Sequence, residues 1–210
     1  MSGPRHPTLA RILLVRHGES TWNAEGRWQG HADPPLSATG AAQARAAAPA
    51  LTGIDAVWCS DLIRARQTAE LCAPTGLVLC PEPLLRERDV GEWTGLTRDV
   101  IEERFPGWIA SGRRPDGWEG DGAVARRAWQ ALRRVVAALE PGAHAVVVSH
   151  GGLIRAVEAG LGAPNRPVPN LGGVWLRHAT GTFDLGEQAV LVDRDGRAAA
   201  ASEPAVAGPE

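Results

Sequence analysis

The sequence predicts an α/β protein whose parallel strands end at a polar pocket, and three observations lead there. Ile12 to Val15 is an unbroken apolar run that stops abruptly at Arg16, His17 and Gly18, as expected of a strand buried on both faces whose carboxyl end opens to a ligand. Ala145-Val146-Val147-Val148-Ser149 repeats the pattern and ends in His150-Gly151-Gly152. Between these runs, stretches with helical spacing alternate with short apolar ones, which is the order of a βα-built sheet. If the two runs are parallel neighbours, both imidazoles face one pocket at the place where open α/β sheets bind ligands. The glycines then let the backbone turn tightly and approach that ligand.

Residues 1–10 carry two prolines, a glycine and no periodicity, and read as a flexible lead-in. Residues 11–195 contain no interior linker and read as a single domain, and 196–210, dominated by Ala, Gly, Pro and Ser, as a disordered tail. After the first strand, Ser20 to Leu36 holds Asn, Gly, Asp and Pro-Pro and reads as an irregular loop over the pocket. Ser37 or Thr39 caps a helix running toward Ala50. Ala56 to Cys59 is a second strand, and Ser60 or Asp61 caps a helix from Leu62 to about Cys72, with Leu62, Ala65, Ala69 and Cys72 on one face. Leu77-Val78-Leu79 reads as a short third strand. Thr97 caps a helix to Phe105, stopped by Pro106-Gly107, and the glycines, proline and charges of Ser111 to Gly122 read as a mobile loop or lid. A long amphipathic helix spans about Ala123 to Leu139, with Val124, Ala128, Leu132, Val135 and Leu139 inward and an arginine-rich face expected in solvent. Gly151 to about Ala159 starts a helix aimed at the pocket, and Val174 to Arg177 and Thr182 to Val192 read as closing strands.

Composition narrows the function classes. With 44% hydrophobic and 22% charged residues the chain falls in the soluble globular class. A net charge of -2 offers no electrostatic case for nucleic acid or for an anionic membrane. Every basic residue other than histidine is arginine; the absence of lysine excludes a Walker-type or Schiff-base lysine and a lysine general base. The three cysteines, Cys59, Cys72 and Cys80, form no C-x-x-C pair and read as buried small hydrophobes in a reducing compartment. The apolar run at Ile12 is too short for a signal-peptide core or a membrane span, so cytoplasmic location is the default expectation.

An arginine beside the first histidine suits a dianion better than a metal, and the surrounding motifs extend that reading. Arg16-His17-Gly18-Glu19-Ser20 is followed by Thr21-Trp22-Asn23, Gly26-Arg27-Trp28-Gln29-Gly30, Asp33, Pro35-Leu36-Ser37 and Gly40. Ser60-Asp61-Leu62, Arg64-Ala65, Gln67-Thr68-Ala69, Leu85-Arg86-Glu87, Gly91, Trp93, Gly95 and Ser149-His150-Gly151-Gly152 complete the set. In this order the blocks resemble the histidine phosphatase superfamily (phosphoglycerate mutase-like), on its cofactor-independent phosphatase branch. The resemblance implies a three-layer α/β/α sandwich with a mostly parallel central sheet, and no cofactor or metal. It implies His17 as a covalent nucleophile forming phosphohistidine, Glu87 as the acid that protonates the leaving group, and Asn23 and Gln29 as contacts of the phosphoryl group or substrate.

The residue types fit that chemistry independently. A phosphomonoester carries nearly two negative charges, which planar arginine forks neutralise bidentately; Arg16 and Arg64 are the candidates. His150 can bind an equatorial phosphoryl oxygen, and the helix amino end at Gly151 adds backbone donors. Taken singly, each residue has a plainer reading: a structural histidine, a helix ion pair at Arg64, or a solvated carboxylate in the run Arg86-Glu87-Arg88-Asp89. Joint occurrence in order lifts them. A metal site of His17, His150 and Glu87 is disfavoured because Arg16 and Arg64 would repel a cation. Within the family, mutases resemble the chain through Arg16 to Asn23 but follow the acid with histidine and tyrosine, where this chain has Asp89 and Val90 and no tyrosine at all. A phosphatase is therefore expected, with a phosphoglycerate mutase or a non-catalytic phospho-ligand binder as alternatives. Leu85 to Gly107 is also similar to actinobacterial phosphatases acting on glucosyl-3-phosphoglycerate. The expected partner is a small phosphomonoester, with no nucleic acid or membrane, and with a homodimer left open. Tryptophans 22, 28, 93, 108 and 118 fall in or near loops expected to face the pocket.

Overall fold

The two apolar runs become adjacent parallel strands. In the computed structural model, which describes residues 10–193 and 196–199, β1 (Ala10–Arg16) pairs with β4 (His144–Ser149) in a register that sets Arg16 opposite Ser149. In chain order the remaining elements are α1 (Thr21–Ala24), α2 (Ala38–Ala47), β2 (Ala56–Cys59), α3 (Ile63–Cys72), β3 (Leu79–Pro81), α4 (Arg98–Arg104), α5 (Trp108–Ser111) and α6 (Asp121–Ala138). After β4 follow α7 (Gly151–Gly160), β5 (Gly172–Ala179) and β6 (Thr182–Val190). The sheet order is β3-β2-β4-β1-β5-β6, with the first four strands parallel and β5 and β6 antiparallel.

Strand periodicity divides the core into two layers, because successive side chains point to opposite faces. Leu13 and Val15 of β1, Val57 and Cys59 of β2, and Val146 and Val148 of β4 pack on one face with Ala47 of α2 and Ala65, Ala69 and Cys72 of α3. Ile12, Leu14, Ala145 and Val147 pack on the other with Val124, Ala128, Leu132 and Val135 of α6 and Leu153, Ile154 and Val157 of α7. This is the three-layer sandwich. A third, separate cluster gathers Val90, Trp93 and Ile101 with Trp28, Phe105, Trp108 and Trp118 into a small aromatic lobe.

The structure differs from the sequence reading at several places. Ala10, read as lead-in, is the buried first residue of β1. The third strand lies at Leu79–Pro81, and Val78 is 81% exposed: pairing with Val57 and Cys59 sets the ladder, and Pro81 is tolerated because this is the sheet edge. Neither Ser60 nor Asp61 caps α3. Its first turn is capped from a distance by Asp33, whose Oδ1 accepts from Ile63 N at 2.6 Å, while Asp61 is engaged by Arg86. Ser37 and Thr97 cap α2 and α4 as the sequence predicts. The Ser111 to Gly122 stretch is tied to the loop after Glu87 at its far end: Trp118 bridges Val90, and Glu119 N donates to Asp89 O at 2.9 Å. In the tail, Ala198 bridges Val192; residues 1–9 and 200–210 lie outside the described residues.

Candidate active site

The site begins where β1 and β4 end. Backbone pairing carries one residue past the ladder, since His17 N donates to Ser149 O at 3.0 Å, and so His17 and His150 emerge side by side. Their ring centroids are 5.1 Å apart in an edge-on arrangement, and both are buried, at 2% and 0% exposure. His17 Nδ1–H donates to the Gly18 carbonyl at 2.6 Å, which leaves the lone pair on Nε2. Burial first, then the positive charges of Arg64 and Arg16, holds the His17 imidazole neutral well below the usual histidine range. A neutral imidazole with a fixed Nε2 lone pair is the form that can attack an electrophile.

Arg64, fully buried on α3, stands against that nitrogen: its Nε–H donates to the Nε2 lone pair of His17 at 3.3 Å, a bond that a phosphoryl oxygen must take over before Nε2 can attack. Its terminal nitrogens donate to Ala32 O at 2.8 Å and Gly30 O at 3.0 Å, so three of its five N–H groups are used in fixing its plane. Burial pulls its pKa down to about 10, still charged at neutral pH. Arg16 is held by Val168 O at 2.8 Å, and Asn170 Nδ2 donates to the His17 carbonyl at 2.9 Å. His150 is the N-terminal cap residue of α7, and neither of its ring nitrogens has a hydrogen-bond partner among the described residues. Burial, followed by Arg64, His17 and Arg16, pushes its pKa well down. A buried polar ring without partners beside two guanidinium groups is the signature of a place built for something else to complete.

Glu87 comes from the other side. Its Oε2 accepts from Gly152 N at 3.0 Å and its Oε1 from Arg88 N at 2.8 Å, which sets the carboxylate against the amino end of α7. Neighbouring ties fix the segment: Ser149 Oγ donates to Leu85 O at 2.8 Å, and Arg86 grips Asp61 with two nitrogens. Asn23 and Gln29 also line the cleft. The Asn23 amide oxygen accepts from Ser20 N at 3.2 Å and that of Gln29 from Ser20 Oγ at 2.9 Å, so their NH₂ groups are left to meet an anion. The structure thus brings Arg16, His17, Asn23, Gln29, Arg64, Glu87 and Gly151 onto one cleft of about 1240 Å³, with His150 in ring contact with His17 at its base. Trp28 and Trp118 form part of its wall; Trp93, expected near the pocket, is wholly buried in the aromatic lobe, and Trp108 packs there too.

Some participants escaped the sequence reading. Asn170 and Val168 hold the Arg16-His17 backbone and guanidinium from a loop more than 150 residues away, a contact without local signature. Arg155, one turn into α7, lines the cleft. Arg127, assigned to a solvated helix face, is instead turned onto the Glu87 segment.

The chain matches the model of the histidine phosphatase superfamily (branch 1) over residues 12–179. It belongs to that superfamily. The histidine phosphatases it resembles include a metal-independent phosphoserine phosphatase of Arabidopsis thaliana, 38% identical over 71% of this chain and 67% of the relative. A probable phosphoglycerate mutase of an Enterobacter strain is 37% identical over 68% of this chain and 70% of its own length. Among solved structures, a mycobacterial glucosyl-3-phosphoglycerate phosphatase in complex with VO₃ superposes with a TM-score of 0.73 at 33% identity, covering 84% of this chain and 97% of that one. Among the described residues no helix is long and apolar enough to cross a membrane.

Proposed function

We propose that this histidine phosphatase hydrolyses small phosphomonoesters through a phosphohistidine at His17. The observation that carries the reading is the pair of buried imidazoles between Arg16 and Arg64, one with a fixed Nε2 lone pair and the other with both nitrogens unpartnered. A phosphoryl dianion entering the cleft gives Arg16, Arg64 and the NH₂ groups of Asn23 and Gln29 acceptors, and gives His150 the partner it lacks. His17 Nε2 then attacks phosphorus, the bond to the ester oxygen breaks, and that oxygen takes the proton of Glu87. In the second half Glu87 removes a proton from water, the resulting hydroxide attacks phosphorus, and the P–N bond breaks to return neutral His17. The Gly151 amino end of α7 and His150 stabilise the charge that spreads over the equatorial oxygens.

For the organic part of the substrate, the wall of Trp28, Trp118 and Arg114 favours a polar, anionic group, Arg88 being ion-paired with Asp121, and glucosyl-3-phosphoglycerate and phosphoserine are the leads that the relatives' names supply. The reducing cytoplasm suits its free Cys59, Cys72 and Cys80. Hydrolase and mutase are separated by one experiment. A panel of phosphomonoesters is assayed for released phosphate beside 3-phosphoglycerate with bisphosphoglycerate assayed for isomerisation; release should dominate, and rapid interconversion with little free phosphate would assign a mutase instead.

A further inference from the structure

We infer that Arg127 is the positioning residue of the candidate acid Glu87, a role that stands on the phosphatase reading above. Arg127 lies on α6 and does not line the cleft, so it acts through what it holds. Its Nε and one terminal nitrogen clasp the two Glu119 oxygens at 2.8 Å each. The other terminal nitrogen donates to Leu84 O at 2.9 Å and to Arg86 O, and the first donates again to Glu87 O at 2.9 Å. Five N–H groups therefore meet five acceptors, three of which are backbone carbonyls of the segment carrying the acid.

Glu119 closes the same device from outside. Its backbone N donates to Asp89 O at 2.9 Å, its Oε2 accepts from Asp89 N at 3.2 Å, and its carbonyl accepts from Arg88 Nη1 at 2.6 Å. The backbone on both sides of Glu87 is thereby fixed to one guanidinium and one carboxylate, and the Glu87 carbonyl itself receives a second donor from His31 Nε2 at 2.8 Å. Only a planar fork with five donors can satisfy this set; an ammonium has three donors and no plane. With the segment loosened, the carboxyl would drift from the ester oxygen by a fraction of an ångström or more, and proton transfer is the step most sensitive to that.

The test compares leaving groups. Arg127→Lys, Glu119→Gln and Glu87→Gln are assayed beside the wild type in a single turnover, by the rate at which the alcohol or phenol is released, because the later hydrolysis of the phosphohistidine uses Glu87 with either substrate. The pair compared is an alkyl phosphate, whose alkoxide needs a proton to depart, and p-nitrophenyl phosphate, whose phenolate does not. Each variant is first checked for native circular dichroism. In Arg127→Lys the alkyl release rate should fall by about 30- to 100-fold with the half-saturating substrate concentration within about threefold, while the nitrophenyl release rate falls by less than about threefold. Glu119→Gln should show the same split at about fivefold. Equal losses on both substrates in a folded Arg127→Lys, or no loss on either, would overturn the positioning role. If Arg127→Lys does not fold, Glu119→Gln decides on the same criterion, the split supporting the role and its absence overturning it. Glu87→Gln separates the two levels: should it lose both substrates equally, the acid assignment itself falls, and the positioning role with it.

Discussion

The His17 imidazole is held neutral, with its lone pair on Nε2, because three effects agree: the Gly18 carbonyl fixes its tautomer, burial removes water that would stabilise its charged form, and two arginines oppose a third positive charge. His150 is under the same pressures. Both therefore stay neutral in the folded protein at a pH where the unfolded chain's histidines, at about 6.5, take up protons. Their folded pKa values are lowered, so the unfolded state binds more protons below that point, and stability must fall as pH drops from about 7 toward 5, at up to about 1.4 kcal/mol per pH unit per histidine. Above about pH 7 this contribution is flat. Urea unfolding in phosphate-free buffer at several pH values measures it directly, and His150→Asn should roughly halve the slope. A profile flat from pH 7 to 5 would show that the imidazoles are not held neutral.

At the scale of elements, α7 meets Glu87 so closely that any side chain at Gly152 must displace the carboxylate. A Cβ on Gly152 would lie 2.2 Å from Glu87 Oε1, which is the mobile end of a side chain, whereas a Cβ on Gly40 of α2 would lie 1.9 Å from the Glu19 carbonyl oxygen, which is backbone. The two positions should fail differently. Gly152→Ala pushes the carboxylate aside and also raises helix propensity, so alkyl-phosphate turnover should drop by at least about tenfold with little change in the thermal midpoint. Gly40→Ala must shift backbone against backbone, at a cost of about 1–3 kcal/mol, and should lower the midpoint by roughly 3–10 °C for a chain of this size. Kinetics and a thermal melt on the pair check this; a strongly destabilised Gly152→Ala with unchanged kcat would reverse the assignment. Elements also show what local pattern conveys. β1 and β4 were legible because both faces of each are buried and the apolar run is continuous, and α6 because its apolar stripe is helical. The cap of α3 was not, because it is supplied by Asp33 from 30 residues away.

Across the whole molecule, the site assembles from five stretches of chain, and that explains which parts of it the sequence conveyed. His17, Arg64, Glu87 and His150 stood out through ordered motifs, while Arg127, Asn170 and Arg155 carry no local mark: an arginine on an amphipathic helix reads as solvated until a distant segment is found beneath it. The same holds for the stretch from Ser111 to Gly122, whose composition reads as loose but whose Trp118 and Glu119 are fastened to the loop following Glu87. Positive charge in the cleft is supplied by arginine, with Arg16 and Arg64 at its base and Arg114 and Arg155 along its wall, while Arg88 is ion-paired with Asp121. Activity should accordingly survive exhaustive EDTA treatment, and loss restored by Mg²⁺ or Zn²⁺ would contradict that source of charge.

Everything proposed for the cleft turns on a phosphoryl group passing through His17. Wild-type protein is mixed with ³²P-labelled phosphomonoester and quenched within milliseconds in base, under which a phosphohistidine persists, and a parallel sample is exposed to acid, under which it decays. The expected result is label on the protein that survives base, is lost in acid, maps to His17 and is absent in a folded His17→Ala variant. Label that is absent throughout turnover, or that persists in His17→Ala, would contradict the mechanism.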